Sequence, residues 1–295
     1  MKPAPFTYHL AHDVAEAVSL LAELGEDAKI LAGGQSLVPM MNLRLARPSA
    51  LVDITRIPGL SYLRAGPDGL RIGALTRHRF VETTRDPAVL GGFGVLPRSA
   101  RWIGHYPIRA RGTFGGSIAH ADSTSEWCLL AVLLSAEIIL AGPAGQRRVG
   151  SDEFFEGFFT TRAEPDEMVI EVRFPSPAPH AALIEFAPRQ GDFAVVAAAV
   201  ALDLGDDGEA RGGASDGSRT CRSARIVLGG VSPAPFVVDA TALAGLPATP
   251  GTWRDAGEVA AAQIDPPDDG GDDDGYRRRL TATLVERALA EASQP

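Results

Sequence analysis

The chain has 295 residues, 45% of them hydrophobic, enough for one large core or two domains of about 150 residues each. A formal charge of −9 with no long basic run excludes nucleic acid as the main ligand, because phosphate backbones are held by Lys and Arg. Two cysteines, Cys128 and Cys221, exclude a disulfide framework and any iron–sulfur cluster held by this chain alone, which takes about four thiolates.

The first ten residues carry one Lys and no apolar h-region, so no secretory signal is read there and a reduced, cytoplasmic setting is expected. Asp13 reads as the N-cap of a helix, with Glu16 three residues on, as in a capping box. Val14, Val18, Leu21 and Leu24 form its apolar stripe, and Gly25 its stop. Residues 29–32 form a strand that runs into Gly33-Gly34-Gln35-Ser36. A helical turn is expected at 40–45, strands at 51–54 and 70–74, and a short helix capped by Thr76 and ending at Val81. Residues 95–103 pattern as helix, residues 129–134 as a buried helix, and residues 137–140 as a strand ending at Gly142-Pro143. Alternation over 168–174 puts Met168, Ile170, Val172 and Phe174 on one strand face.

The Pro-rich segment 176–179 reads as a linker. Strands follow at 183–186, 193–204 and 224–228, with an exposed Gly/Asp/Ser-rich hairpin tip at 205–219. Helices are expected at 256–264 and 276–292, the second with Leu280, Leu284, Ala288 and Ala292 every four residues, and an acidic, solvated loop over 266–274 separates them. The longest apolar run, 193–204, is broken by Asp203 and too short to span a bilayer. The order is α+β in two modules, not a regular strand–helix alternation.

Two glycine-rich segments carry the chemistry: Ala32-Gly33-Gly34-Gln35-Ser36 and Thr113-Phe114-Gly115-Gly116-Ser117. Without a Cβ, successive backbone N–H groups converge on one anion, and the hydroxyls add donors. Neither turn contains Lys or Arg, although Lys29, Arg109 and Arg111 flank them, so neutral amides would make most contacts to a diphosphate. A lone Gly-Gly pair is usually only a turn, and neither segment has the Rossmann or Walker A spacing. His9, His12, His78, His105 and His180 show no metal-ligand spacing. His120 reads either as a proton donor near a cofactor or as an ordinary loop hydrogen-bonder, and Asp122 as a helix start or a ligand contact. Trp102, Trp127 and Trp253 read as packing or interface residues, Cys128 as a buried hydrophobe, and Cys221 as exposed near a loop.

Residues 31–48, Leu-Ala-Gly-Gly-Gln-Ser-Leu-Val-Pro-Met-Met-Asn-Leu-Arg-Leu-Ala-Arg-Pro, resemble the first FAD-binding signature of the medium subunit of molybdenum hydroxylases, the carbon monoxide dehydrogenase and xanthine dehydrogenase type. Residues 111–122, Arg-Gly-Thr-Phe-Gly-Gly-Ser-Ile-Ala-His-Ala-Asp, resemble the second, and Gly191-Asp192-Phe193-Ala194-Val195-Val196 a third. Ile226-Val227-Leu228-Gly229-Gly230-Val231 and the closing Tyr276-Arg277-Arg278 helix also fit, so the resemblance runs in order through nearly the whole chain.

The resemblance implies a PCMH-type FAD-binding domain over 1–177, with subdomains 1–57 and 58–177, and a smaller α+β domain with an antiparallel sheet over 178–295. It places at FAD the residues Ile30, Leu31, Ala32, Gly33, Gly34, Gln35, Ser36, Leu37, Ile103, Thr113, Phe114, Gly115, Gly116, Ser117 and Asp122. Glu126 would sit near the adenosine, Val169 would back the cofactor, and Phe193 would lie beside the isoalloxazine. No catalytic side chain and no metal ligand are implied in this chain. The implied partners are a small subunit with [2Fe–2S] clusters and a large subunit with a molybdopterin cofactor, in a dimer of heterotrimers. Electrons would pass from the clusters to FAD and on to an external acceptor. Ala110, Phe114, Ser123-Thr124-Ser125 and Cys128 depart from the family pattern. The alternatives are a self-sufficient FAD-dependent oxidase or dehydrogenase, for which only His120 or Asp192 offers an acid/base group, and a non-catalytic nucleotide-binding module.

Overall fold

The computed structural model describes residues 2–206, 219–265 and 274–294. Most of the hairpin tip expected at 205–219 and of the acidic loop expected at 266–274 lies outside the described residues.

The first unit holds β1 (Thr7–Leu10), α1 (Val14–Leu24), β2 (Ala28–Leu31), α2 (Leu37–Asn42) and β3 (Ala50–Asp53). Its strands form a parallel sheet in the order β1-β3-β2. Asp13 caps α1, its Oδ1 accepting from Glu16 N at 2.8 Å. Glu16 Oε2 accepts in return from His12 N at 2.7 Å, one residue before the position a capping box uses. Val18 and Leu21 are buried against Val52 and Ile54, with Val14 and Leu24 flanking them. The helix expected at 40–45 instead begins at Leu37. Pro39 falls in its first turn, where an amide has no intrahelical partner and its absence costs little.

The second unit runs through β4 (Leu63–Gly66), β5 (Gly69–Gly73), α3 (His78–Glu82), α4 (Pro87–Phe93), α5 (Val95–Ser99), α6 (Tyr106–Arg111), α7 (Phe114–His120) and α8 (Glu126–Leu133). It continues through β6 (Glu137–Gly142), β7 (Gly145–Gly150), α9 (Ser151–Phe154), β8 (Phe155–Gly157), β9 (Thr160–Thr161) and β10 (Met168–Phe174). The main sheet is antiparallel, in the order β4-β5-β10-β6-β7. Three expectations are corrected here. Thr76 does not cap α3: its hydroxyl donates to Tyr62 O and accepts from Tyr62 N, and Arg77 is the N-cap. The helix expected at 95–103 ends at Ser99. The one-face alternation of β10 breaks at a bulge between Val169 and Glu171. Met168 and Ile170 therefore enter the core of the first unit, whereas Val172 and Phe174 enter that of the second.

The third unit comprises β11 (Ala181–Phe186), β12 (Val196–Asp206), β13 (Arg219–Gly229), β14 (Phe236–Val238), α10 (Pro250–Gln263) and α11 (Asp274–Ala292). The strands form an antiparallel sheet in that order. Period-two alternation in β12 divides its side chains. Ala198, Val200 and Leu202 pack with α10 and α11, and Ala197 and Ala199 join the core around α8. The four-residue repeat of α11 faces this sheet, with Leu284, Ala288 and Ala292 buried and Leu280 beside them. Arg277 pins the helix by donating to Val195 O at 2.8 Å and Gly230 O at 2.7 Å. Cys221, expected to be exposed, is fully buried, because it points into this core opposite Leu204. Among the described residues no helix is long and apolar enough to cross a membrane.

Candidate cofactor site

A cleft of about 720 Å³ opens where the three units meet. It lies within the size range of small-molecule and cofactor sites. Of the expected site residues, Ile30, Ala32, Gly33, Gly34, Gln35, Ser36, Leu37, Ile103, Thr113, Gly115, Gly116, Ser117, Asp122, Glu126, Val169 and Phe193 line it. Leu31 and Phe114 do not. Leu31 packs behind Gly34. Phe114 is fully buried, 4.7 Å from the Trp127 ring and edge-on to Phe174 at 6.1 Å.

The two glycine turns meet in space but do different work. A Cβ on Gly33 would lie 2.5 Å from Arg111 O and 2.7 Å from Gly112 Cα, so the first turn touches the chain entering the second only because residue 33 has no side chain. Gly34 has φ +71°, in the left-handed region. The amides of Gly33, Gly34, Gln35 and Ser36 meet no acceptor among the described residues. Four unpaired donors on a turn beside a cleft are the kind of donor set that suits an anion.

The second turn has already used its amides. Phe114 N donates to Thr76 O at 2.8 Å, Gly115 N to Ala74 O at 2.9 Å, and Ser117 N to Thr113 O at 3.1 Å. Gly116 N donates to Thr113 Oγ1 at 3.2 Å, the N-cap bond of α7. What this turn offers the cleft is the Ser117 hydroxyl and a close-packed backbone wall. Neither flanking arginine lines the cleft, and Arg109 pairs instead with Glu82 at 3.0 Å and donates to the Ile103 and Gly104 carbonyls.

Glu126, half-buried at the start of α8, is desolvated, and the Glu185 carboxyl on β11 faces it. Burial first, then Glu185, push its pKa well above the carboxylate range. Burial raises Glu185 to about 7, and its Oε2 is buried without a partner among the described residues. Near neutral pH the pair therefore favours keeping a proton between its two carboxyls. Asp122 Oδ1 accepts from Thr124 N and from the Thr124 hydroxyl, both at 2.8 Å, shaping the entry to α8 while the residue still lines the cleft. His120 stacks on Phe159 with ring centroids 4.8 Å apart, and burial lowers its pKa against the opposing Asp122 charge. Phe193 lies at the mouth and is 75% exposed. His78 and Phe159 also line the cleft, and no motif or spacing in the sequence singled them out.

The comparisons decide the family. Residues 4–177 match the FAD binding domain in molybdopterin dehydrogenase, and residues 181–292 match the CO dehydrogenase flavoprotein C-terminal domain. The chain belongs to the flavin-binding medium subunits of the molybdenum hydroxylases. It is 38% identical to the 6-hydroxypseudooxynicotine dehydrogenase complex subunit alpha of Paenarthrobacter nicotinovorans, over 99% of this chain and 96% of that one. It is 34% identical to the carbon monoxide dehydrogenase medium chain of Hydrogenophaga pseudoflava, over 99% and 98%. Among solved structures, quinoline 2-oxidoreductase from Pseudomonas putida 86 superposes with a TM-score of 0.89 at 33% identity, over 99% of this chain and 98% of that one. The medium subunit is thus an FAD-binding component of an oxidoreductase. The residues present fit such a cofactor: the unpaired Gly33–Ser36 amides suit a diphosphate, and the cleft runs from them to Phe193.

Proposed function

We propose that this medium subunit is the flavin-carrying link of a heterotrimeric hydroxylase that acts as a dimer of heterotrimers. It takes electrons from [2Fe–2S] clusters on a small partner subunit and delivers them to an external acceptor. A large partner subunit with a molybdopterin cofactor performs the hydroxylation, and the complex works in the cytoplasm. Residues 1–177 form the FAD-binding domain and residues 178–295 cover it. The reading rests on the four unpaired amides of Gly33–Ser36 in a chain that matches flavoprotein subunits along its full length. The two cysteines, both buried, also support it, because the clusters must then sit on another chain.

Within this reading the Gly33–Ser36 turn and the Ser36 and Ser117 hydroxyls hold the diphosphate. Glu126 meets the adenosine end, Val169 backs the cofactor, and Phe193 packs at the flavin end. Bound FAD supplies reversible electron transfer, and the chain supplies position and potential. The test is purification with the neighbouring subunits. A yellow protein with one FAD per medium chain, and iron and molybdenum confined to co-purifying chains, is expected. A colourless protein that takes up no FAD on reconstitution refutes the reading.

A further inference from the structure

His78 opens α3 with only 3% of its surface exposed, yet it lines the cleft. Its Nδ1 faces the indole Nε1 of Trp127 at 2.9 Å. An indole nitrogen only donates, so Nδ1 accepts and the proton of the neutral ring sits on Nε2. A second proton on Nδ1 would oppose two N–H groups. Burial, with Arg77 and Arg109 adding repulsion, holds the pKa down at about 3. With Nδ1 occupied by the indole, the neutral ring has its Nε2–H left to donate. That N–H meets no acceptor among the described residues and keeps some access to solvent.

The surroundings say what acceptor it serves. A Cβ on Gly112 would lie 2.5 Å from His78 Nε2, and a Cβ on Gly33 would lie 2.7 Å from Gly112 Cα. The imidazole edge, Gly112 and the Gly33 turn are therefore packed in succession along one wall of the cleft. The imidazole N–H without an acceptor thus lies beside the turn that carries the unpaired amides.

We propose that His78 is a neutral hydrogen-bond donor to the diphosphate of the bound dinucleotide, and that Trp127 is the positioning residue that fixes its tautomer. The proposal rests on the FAD reading above and extends it to a residue outside both glycine motifs. Removing one donor to a charged acceptor weakens binding by roughly ten- to a hundredfold.

The test is fluorescence titration of the flavin-stripped full chain with FAD, and calorimetric titration with ADP, which keeps the diphosphate and lacks the flavin. His78→Leu should raise both dissociation constants by that factor. His78→Gln, whose amide nitrogen can take the place of Nε2, should stay within about threefold of the wild type. Nitrogen-15 spectra of the stripped wild type should show His78 protonated at Nε2, and Trp127→Phe should mix the tautomers. An unchanged FAD constant in His78→Leu overturns the proposal. So do equal losses in the Leu and Gln variants, which would mark packing, or a loss for FAD without one for ADP, which would place the contact on the flavin. Wild-type protein that binds no FAD instead removes the function proposed above, and this inference with it.

Discussion

Gly115→Ala separates a packing glycine from a ligand-binding one. A Cβ at residue 115 would lie 2.5 Å from Ala74 Cβ, 2.8 Å from Ala74 Cα and 2.9 Å from Ala74 O. Carbon atoms pack at about 3.5–4.0 Å, so α7 must retreat by about 1 Å from the end of β5. That retreat stretches the bonds anchoring the helix, Gly115 N to Ala74 O at 2.9 Å and Phe114 N to Thr76 O at 2.8 Å. Overpacking costs about 1–3 kcal/mol and a weakened buried hydrogen bond about 1 kcal/mol, while better helix propensity returns at most about 1 kcal/mol. The net loss is about 1–4 kcal/mol, a fall in melting temperature of about 2–16 °C for a chain of this size. Thermal and urea unfolding of the flavin-free protein, followed by circular dichroism, measure it. A glycine needed only for phosphate would leave the flavin-free protein untouched. An unchanged midpoint in flavin-free Gly115→Ala would therefore refute the packing role.

Glu185→Gln should change the pH dependence of stability. The folded pKa of Glu185 is raised to about 7 from 4.5, so the unfolded chain releases its proton first as pH rises. The stability linked to this proton is fully present below about pH 4.5 and lost as pH climbs through 7. The wild-type melting temperature should fall more steeply than that of Glu185→Gln between those values; parallel profiles would exclude a retained proton. Trp253→Ala should cost about 3–5 kcal/mol, because the indole is 2% exposed in the core between α10 and the third sheet. A loss under about 1 kcal/mol in urea unfolding would contradict that packing.

What could be read from sequence was local. The stripe of α1 and the four-residue repeat of α11 needed only periodicity, and both face their cores. The bulge in β10 was not legible, because it arises where one strand serves two cores, and alternation knows only one. The glycine motifs named two turns that line one cleft and misjudged how the amides of the second are used. Residues 114–117 look like residues 33–36 in composition, but their N–H groups are spent on Thr76, Ala74 and Thr113. A contiguous motif also includes residues that do not line the cleft, as Phe114, packed on Trp127, does not. His78 was invisible for a related reason: its place comes from Trp127, 49 residues on, the one hydrogen-bond partner of its ring among the described residues.

The electrostatics of the cleft explain why a chain of net charge −9 is compatible with an anionic cofactor. Acidic residues on the lining include Asp122, Glu126, Glu167 and Asp192, and Lys29 is its one lysine or arginine among the described residues. Binding by net charge would repel a diphosphate. The fold removes part of that repulsion: Arg147 neutralises Glu167 at 2.6 Å, Asp122 is turned into its own loop, and the Glu126–Glu185 pair keeps a proton. On the reading proposed above, the anion is held beside Lys29 mainly by neutral dipoles: four amides, two hydroxyls and the buried His78 imidazole. Dipoles act over short distances, so affinity at such a site depends on geometry and little on overall charge. A substitution that shifts a turn by an ångström, as a side chain at residue 33 would, therefore matters more to binding than the removal of a surface charge.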